Sequence, residues 1–287
     1  MDHVSRSILF IGAHPDDDDL SGGGLAALCR RRGDQVLFLS VTNGDKGHFA
    51  PEYIADPSAL ARRRRAEGEA AVAVIGARFA TLGARDGEVY VTPELTEKMV
   101  RLIRGFGTPG QGPDLVLLNR PNDYHRDHRY AARLALDATY MLTVPMMCPD
   151  TRHLDRMPVF AYWFDRFTEG GPFRPDIVVP IDSVMEAKVS MALAHESQLF
   201  EWLPFNAGAT DSVPADAAGR REYVARRVRD RAARVKEGCC PPGQAPSDFQ
   251  YAEAFQISEY GRRPSSEELT DLFPGARLPG SSGAASR

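Results

Sequence analysis

Two short stretches concentrate side chains that can bind a metal ion and move protons. One is His14-Pro15-Asp16-Asp17 and the other is His125-Arg126-Asp127-His128. Neutral imidazole and carboxylate oxygen suit zinc, and catalytic zinc sites take three protein ligands and leave one position for water. His14, Asp17 and His128 supply such a set. A cation held this way lowers the pKa of a coordinated water from about 16 to about 7. Adjacent carboxylates in an extended loop point in opposite directions, so Asp17 can bind the ion while Asp16 faces the water and takes its proton as general base. His125, one helical turn before His128, is placed to donate a hydrogen bond to the oxyanion of a tetrahedral intermediate. Asp127 is the candidate partner that orients one of the imidazoles. Each stretch alone has a plainer reading, as an acidic helix start or as polar residues opening a helix. Their joint placement at strand ends favours a site.

That placement follows from the elements around them. Residues 7–12 are a short apolar run ending in Gly12, the pattern of a buried parallel strand. A helix is expected from Leu25 to Arg32, after the Gly22-Gly23-Gly24 run and closed by Gly33. Residues 35–41 form a second strand, 58–75 a helix, 78–82 a strand, 92–106 a helix and 114–119 a strand, followed by a helix from about Arg129 to Met141. This is an α/β layout: a Rossmann-like, mostly parallel twisted sheet with helices on both faces. With strand order 3-2-1-4, the first and fourth strands are neighbours at the switch point, and the two His/Asp stretches meet in one crevice. The second half is less regular. Strands are expected at 158–164 and 177–181, an amphipathic helix at 183–199, a very basic helix at 220–236 whose packing stays open, a Pro/Gly loop at 239–246, and a short strand or turn at 250–257.

The 287 residues suffice for one large α/β domain, and 43% apolar with 26% charged residues is an ordinary globular balance. A net charge of -4 and a pI near 6.0 argue against a nucleic-acid partner. The arginine run at 62–65 reads as a solvated helix face. The four cysteines, Cys29, Cys148, Cys239 and Cys240, have no metal-knuckle or redox spacing. No signal peptide or apolar stretch of about 18 residues stands out, so a cytoplasmic location without a membrane span is expected.

Ala13-His14-Pro15-Asp16-Asp17 with the following glycine run, together with His125-Arg126-Asp127-His128-Arg129, resembles the PIG-L/LmbE-like family of N-deacetylases. Thr42-Asn43-Gly44-Asp45-Lys46-Gly47, Arg85-Asp86-Gly87, His195-Glu196-Ser197-Gln198 and Tyr251-Ala252-Glu253-Ala254-Phe255 extend the resemblance over roughly residues 5–262. It implies a Rossmann-like fold, Zn2+ as cofactor and hydrolysis of an N-acetyl group, usually on an amino sugar. It also supports the roles given to His14, Asp16, Asp17, His125 and His128. Asp18 stands where the family commonly has Glu, and Arg126 where it often has Pro. The arginine adds a cation beside the pocket.

Residues 1–262 are then one deacetylase domain and 263–287 a flexible tail, given the Ser, Gly, Pro and Ala composition there. Asp45, Lys46 and Arg85, in strand-end loops, are candidates for binding sugar hydroxyls, and Tyr124 for closing over the substrate. His195 and Gln198, at i, i+3, read as structural hydrogen-bonding residues, and His3, His48 and His153 as ordinary surface or loop histidines. The expected partner is a small N-acetylated sugar or glycoconjugate of the N-acetylglucosamine type, and a homo-oligomer is allowed. The alternatives are an amidase acting on a larger N-acyl or thiol-sugar conjugate, and a non-catalytic sugar- or nucleotide-binding domain. Against the latter, the glycines follow an acidic run, which would repel a pyrophosphate, and do not form GxGxxG after the strand.

Overall fold

The computed structural model describes residues 4–239 and 248–278. His3, most of the Pro/Gly loop expected at 239–246, and residues 279–287 lie outside the described residues.

β1 (Ser7–Gly12) is buried along its whole length. It pairs in parallel with β2 (Gln35–Thr42) on one side and β4 (Leu115–Leu118) on the other. β3 (Arg78–Ala84) continues the sheet beyond β2, and β5 (Val159–Trp163) beyond β4, both parallel. β7 (Ala252–Ile257) runs antiparallel between β5 and β6 (Ile177–Pro180). The seven strands stand in the order β3-β2-β1-β4-β5-β7-β6, so the expected 3-2-1-4 arrangement is present. Side chains alternate across the sheet with period two. Ile8 and Phe10 of β1 join one apolar cluster, and Leu9 and Ile11 join the other.

The helices are α1 (Asp17–Arg32), α2 (Pro51–Ala55), α3 (Pro57–Ala73), α4 (Pro93–Gly105), α5 (Arg126–Ala138), α6 (Met185–Leu193), α7 (Leu203–Asn206), α8 (Ala217–Cys239) and α9 (Ser266–Leu272). Leu25, Val72, Val189 and Val224 bring α1, α3, α6 and α8 onto the face that Phe10 belongs to. Met99 of α4 and Leu134 of α5 cover the opposite face. Among the described residues no helix is long and apolar enough to cross a membrane.

Five expectations need correction. α1 starts at Asp17, not Leu25, and takes the glycine run into the helix. A Cβ on Gly22 would meet Phe10 Cε1 at 2.5 Å, and one on Gly24 would meet Ile181 Cγ2 at 2.6 Å. The glycines cost about 0.5–1 kcal/mol each in helix propensity but allow this close approach. α5 likewise starts at Arg126, because the His125 ring caps it. The helix expected at 183–199 breaks after Leu193, and a separate π-helical turn follows at Ser197–Trp202. There the Glu67 carboxylate accepts both the Ser197 N–H (2.9 Å) and its hydroxyl (2.6 Å). The arginine run is not wholly solvated, since Arg64 is only 2% exposed.

The fifth correction concerns the tail. α9 is capped by Ser265, and Leu272 and Phe273 are fully buried against the sheet cluster. Beyond them Arg277 exchanges two backbone hydrogen bonds with Val178. The polar composition of this stretch hid a short apolar anchor.

Candidate metal centre and active site

Because β1 and β4 are adjacent and parallel, the segments leaving their carboxyl ends meet. After β1 the chain turns on its own carboxylate. Asp17 Oδ2 accepts the N–H groups of Ala13 (2.9 Å) and His14 (2.8 Å), and the Asp17 N–H donates to the His14 carbonyl (3.2 Å). This leaves Asp17 Oδ1 facing His128 Nε2 at 3.5 Å, while His14 Nδ1 stands 3.5 Å from Asp17 Oδ2. After β4, Asp123 accepts the His125 N–H (2.7 Å), and His125 Nδ1 accepts the Asp127 N–H (3.2 Å). The rings of His14 and His125, and those of His125 and His128, have centroids 4.8 Å apart.

Carboxylates stand behind both outer imidazoles. Asp123 Oδ2 is 2.9 Å from His128 Nδ1, and Asp127 Oδ2 is 3.5 Å from His14 Nε2. Asp127 also accepts the Gly87 N–H at 2.5 Å. The expected orienting role of Asp127 therefore falls on His14. Asp123 was missed, although its acid two residues before His125 was the available signal.

The electrostatics follow burial and these contacts. Burial disfavours a charged His14, yet its contacts with the Asp127 and Asp17 carboxylates carry its pKa up to about 10. Burial opposes ionisation of Asp17, but the charge on His128 and the hydrogen bond with His14 hold it far below the usual carboxylate range. His128 is raised: burial acts downward, and the Asp17 charge and the Asp123 hydrogen bond outweigh it. His125 is lowered by burial and by its two imidazole neighbours. A neutral His125 whose Nδ1 accepts a backbone N–H carries its hydrogen on Nε2. Asp18, buried beside Asp17, Asp19 and Asp16, is raised well above the usual range.

Asp16 sits at the start of α1 with Oδ1 held by Arg64 Nη2 at 2.5 Å. None of the described hydrogen bonds or ion pairs joins it to the histidine cluster. Arg64 reaches it past Gly44, whose φ of 75° suits glycine and where a Cβ would stand 2.7 Å from Arg64 Cδ. Arg64 is the second residue that sequence reasoning missed.

A cavity of about 560 Å3 opens beside the cluster, lined by Asp17, Asn119, Asp123, Tyr124, His128 and Trp163 among others. Asn119 is 8% exposed and its Oδ1 has no hydrogen-bond partner among the described residues. Tyr124 stands at the rim, 80% exposed. The other three candidate substrate residues are not brought into this cavity. Asp45 accepts from Arg85 Nε (2.8 Å) and from the Asp86 N–H (3.0 Å), and Lys46 pairs with Glu88 (2.6 Å). Their charges are spent tying the loops after β2 and β3 together. Arg126 is also drawn away, lying over the rings of Tyr90 (4.3 Å) and Tyr130 (4.4 Å) and donating to the Gly87 carbonyl. His195 bonds Asp19 (3.1 Å) and Gln198 donates to the Gly47 carbonyl (3.1 Å), both as structural contacts. His48 lies in a loop as expected, but its ring is buried against Glu201 at 2.7 Å. A cavity of similar size, about 550 Å3, near Tyr162 and Tyr260 holds none of the candidate residues.

Among the described residues, two sets of three side chains bring one ligand atom each within 4.8 Å of one another: His14, His125 and His128, and His14, Asp86 and Asp127. Asp17 bridges the two outer histidines of the first set.

Residues 9–139, from β1 through α5 and so across both His/Asp stretches, match the family model PIG-L, GlcNAc-PI de-N-acetylase. These residues carry a PIG-L family domain. The chain is 27% identical over 213 residues to the diacetylchitobiose deacetylase of Thermococcus kodakarensis, covering 70% of this chain and 74% of the relative. Over 98 residues it is 38% identical to the 1D-myo-inositol 2-acetamido-2-deoxy-alpha-D-glucopyranoside deacetylase of Kineococcus radiotolerans, covering 31% of this chain and 27% of that one. Its fold resembles that of N,N'-diacetylchitobiose deacetylase from Pyrococcus horikoshii, with a TM-score of 0.68, 22% identity, and 89% and 85% of the two chains covered. The fold also resembles that of GalB, the 4-carboxy-2-hydroxymuconate hydratase of Pseudomonas putida, with a TM-score of 0.66, 20% identity, and 91% and 98% covered. One fold thus carries two reactions, so the reaction has to be argued from the side chains.

Proposed function

We propose that the protein is a zinc-dependent N-deacetylase, hydrolysing the acetamido group of an N-acetylglucosamine-type amino sugar to acetate and free amine. The observation that carries this reading is Asp17, shared between His14 and His128 at the wall of an open cavity. A separation of 3.5 Å is long for a hydrogen bond. Each of these two separations is close to the ~3.3 Å edge of a tetrahedron whose zinc bonds are about 2.0–2.1 Å, the two reaching opposite oxygens of the Asp17 carboxylate. Two imidazoles and a carboxylate also suit zinc better than magnesium or calcium, which favour all-oxygen sets. His14, Asp17 and His128 are preferred over the set with Asp86 and Asp127 for a simple reason. Asp17 and His128 line the cavity, whereas Asp86 and Asp127 are buried and are not among its lining residues. A catalytic ion needs a position open to water and substrate.

When bound, zinc supplies Lewis-acid polarisation and a water that ionises near neutral pH. The chain's own groups do the rest. Asp127 and Asp123 hold the two imidazoles in their ligating orientation. Asp16, with Oδ1 fixed by Arg64, keeps Oδ2 to take the proton of the attacking water and to return it to the departing amine. His125 donates its Nε2–H to the acetamido oxygen as that oxygen gains charge. Asn119 Oδ1 accepts from a sugar hydroxyl or from the amide N–H, and Tyr124 covers the sugar ring.

A screen of N-acetyl amino sugars with zinc-loaded protein tests this, following acetate and new primary amine together. Equal amounts of both, abolished by a chelator, are expected. Hydration of an unsaturated acid with no acetate from any sugar would instead assign the hydratase chemistry. The non-catalytic binding domain is not favoured, since such a domain has no use for a metal-ligand set at its cavity.

A further inference from the structure

We propose that the cavity beside the metal centre continues into an anion-binding arm, and that the substrate carries a phosphate or carboxylate on the side away from its acetamido group. The inference rests on the N-deacetylase reading for where the acetamido group lies. α8 carries many arginines, and several are spent on the fold. Arg221 and Arg229 pair with Glu186 of α6. Arg220 and Arg227 lie over the rings of Phe200 and Tyr223. Arg231 and Arg234, from the same helix, instead line the cavity, where Arg166 joins them from the segment after β5.

None of these three arginines forms a salt bridge among the described residues, although the charges of Asp17 and Glu253 reach Arg231. Arg231 Nη2 meets only the Ser21 hydroxyl, at 3.2 Å. Ser21 lies one turn along α1 from Asp17, which sets this cation next to the metal centre, since i, i+4 neighbours have Cβ atoms about 5–6 Å apart. The carboxylates nearby are already committed. Asp165 is gripped by Arg120 at 2.6 and 2.5 Å, and Asp17 and Asp123 face the histidines. Arg166 and Arg234 also line an adjoining cavity of about 510 Å3, shared with Phe167, Phe173 and Glu237. The result is a groove leading away from the centre, with three arginines and one uncommitted carboxylate, Glu237. Guanidinium forks match carboxylate and phosphate in shape and charge. Like-charged arginines facing one open space are relieved by an anion between them, and a neutral sugar would leave them facing water.

The test compares three N-acetylglucosamine probes: the 1-phosphate, the carboxymethyl glycoside and the methyl glycoside. Values of kcat/KM are measured at low and high salt for the wild type and for the double variant Arg231→Gln, Arg234→Gln. Expected is an advantage of about tenfold or more for one anionic probe over the methyl glycoside, shrinking in salt and falling toward unity in the double variant. Whichever anionic probe wins separates phosphate from carboxylate. Equal values for all three probes in the wild type, or a preference that survives in the double variant, overturns the arm. Calorimetric binding of glucosamine 1-phosphate and of methyl glucosaminide distinguishes the two ways of failing. Arginine-dependent binding of the phosphate, with no probe hydrolysed, keeps the arm and ends the deacetylase reading. Hydrolysis without any charge preference ends the arm and keeps that reading.

Discussion

Arg64 Nη2 lies 2.5 Å from Asp16 Oδ1, and both side chains are almost fully buried. The next carboxylate, Asp86, is 3.8 Å from Arg64 Nη1. Removing one member of a buried pair leaves an uncompensated charge, which typically costs about 3–5 kcal/mol. Arg64→Met is therefore expected to lower Tm markedly and to cut turnover, because Asp16 loses the contact that orients it. A melting curve and kcat on the same preparation check this, and a variant with wild-type values for both would remove Arg64 from the site.

Asp16→Asn should behave differently. The amide keeps the shape and can still accept from Arg64, yet it takes up no proton. Zinc content should stay normal while kcat falls by about 10²–10⁴. Near-normal turnover would show that another group takes the proton.

His125→Ala is expected to lower kcat and kcat/KM together by about 10²–10³, with KM little changed, because the Nε2–H acts on charge present only in the transition state. Zinc content should again be retained. If His125 serves only as the cap of α5, its loss lowers Tm and leaves kcat intact.

The carboxylates behind the histidines make a graded prediction. Asp123→Asn and Asp127→Asn should each weaken zinc binding by about 10–100-fold without abolishing it. Competition against a chromogenic chelator measures this. An unchanged affinity in both variants would mean that the two acids serve the loops alone.

The fully buried Phe273 tests the C-terminal correction. Phe273→Ala should cost about 3–5 kcal/mol, as for other buried aromatics. A change in Tm too small to measure would mean that α9 and the residues after it are not anchored in solution.

The strand order and the meeting of the two His/Asp stretches were legible because buried parallel strands are continuous apolar runs, and each ended in a polar loop. His14, Asp17, His125 and His128 carry chemistry that few other residue types can supply, so their spacing was informative. Asp123 and Arg64 were not legible for opposite reasons. Asp123 sat in a loop already rich in polar residues, and Arg64 looked like the exposed Arg62 and Arg65 until α3 turned it inward. Asp45, Lys46 and Arg85 were assigned to substrate from their place at strand ends, but local ion pairs engage them first. The tail was misread because composition averages over a window, whereas Leu272 and Phe273 anchor it with two side chains.

The central claim is that His14, Asp17 and His128 hold one catalytic zinc. Metal-free protein titrated with zinc, with acetate release from an N-acetylglucosaminide followed at each step, tests it most directly. Activity should rise from zero and level off at one zinc per chain, while His14→Ala, Asp17→Ala and His128→Ala each fail to retain zinc after dialysis and stay inactive. Full acetate release by the metal-free protein, or wild-type zinc content in all three variants, would contradict it.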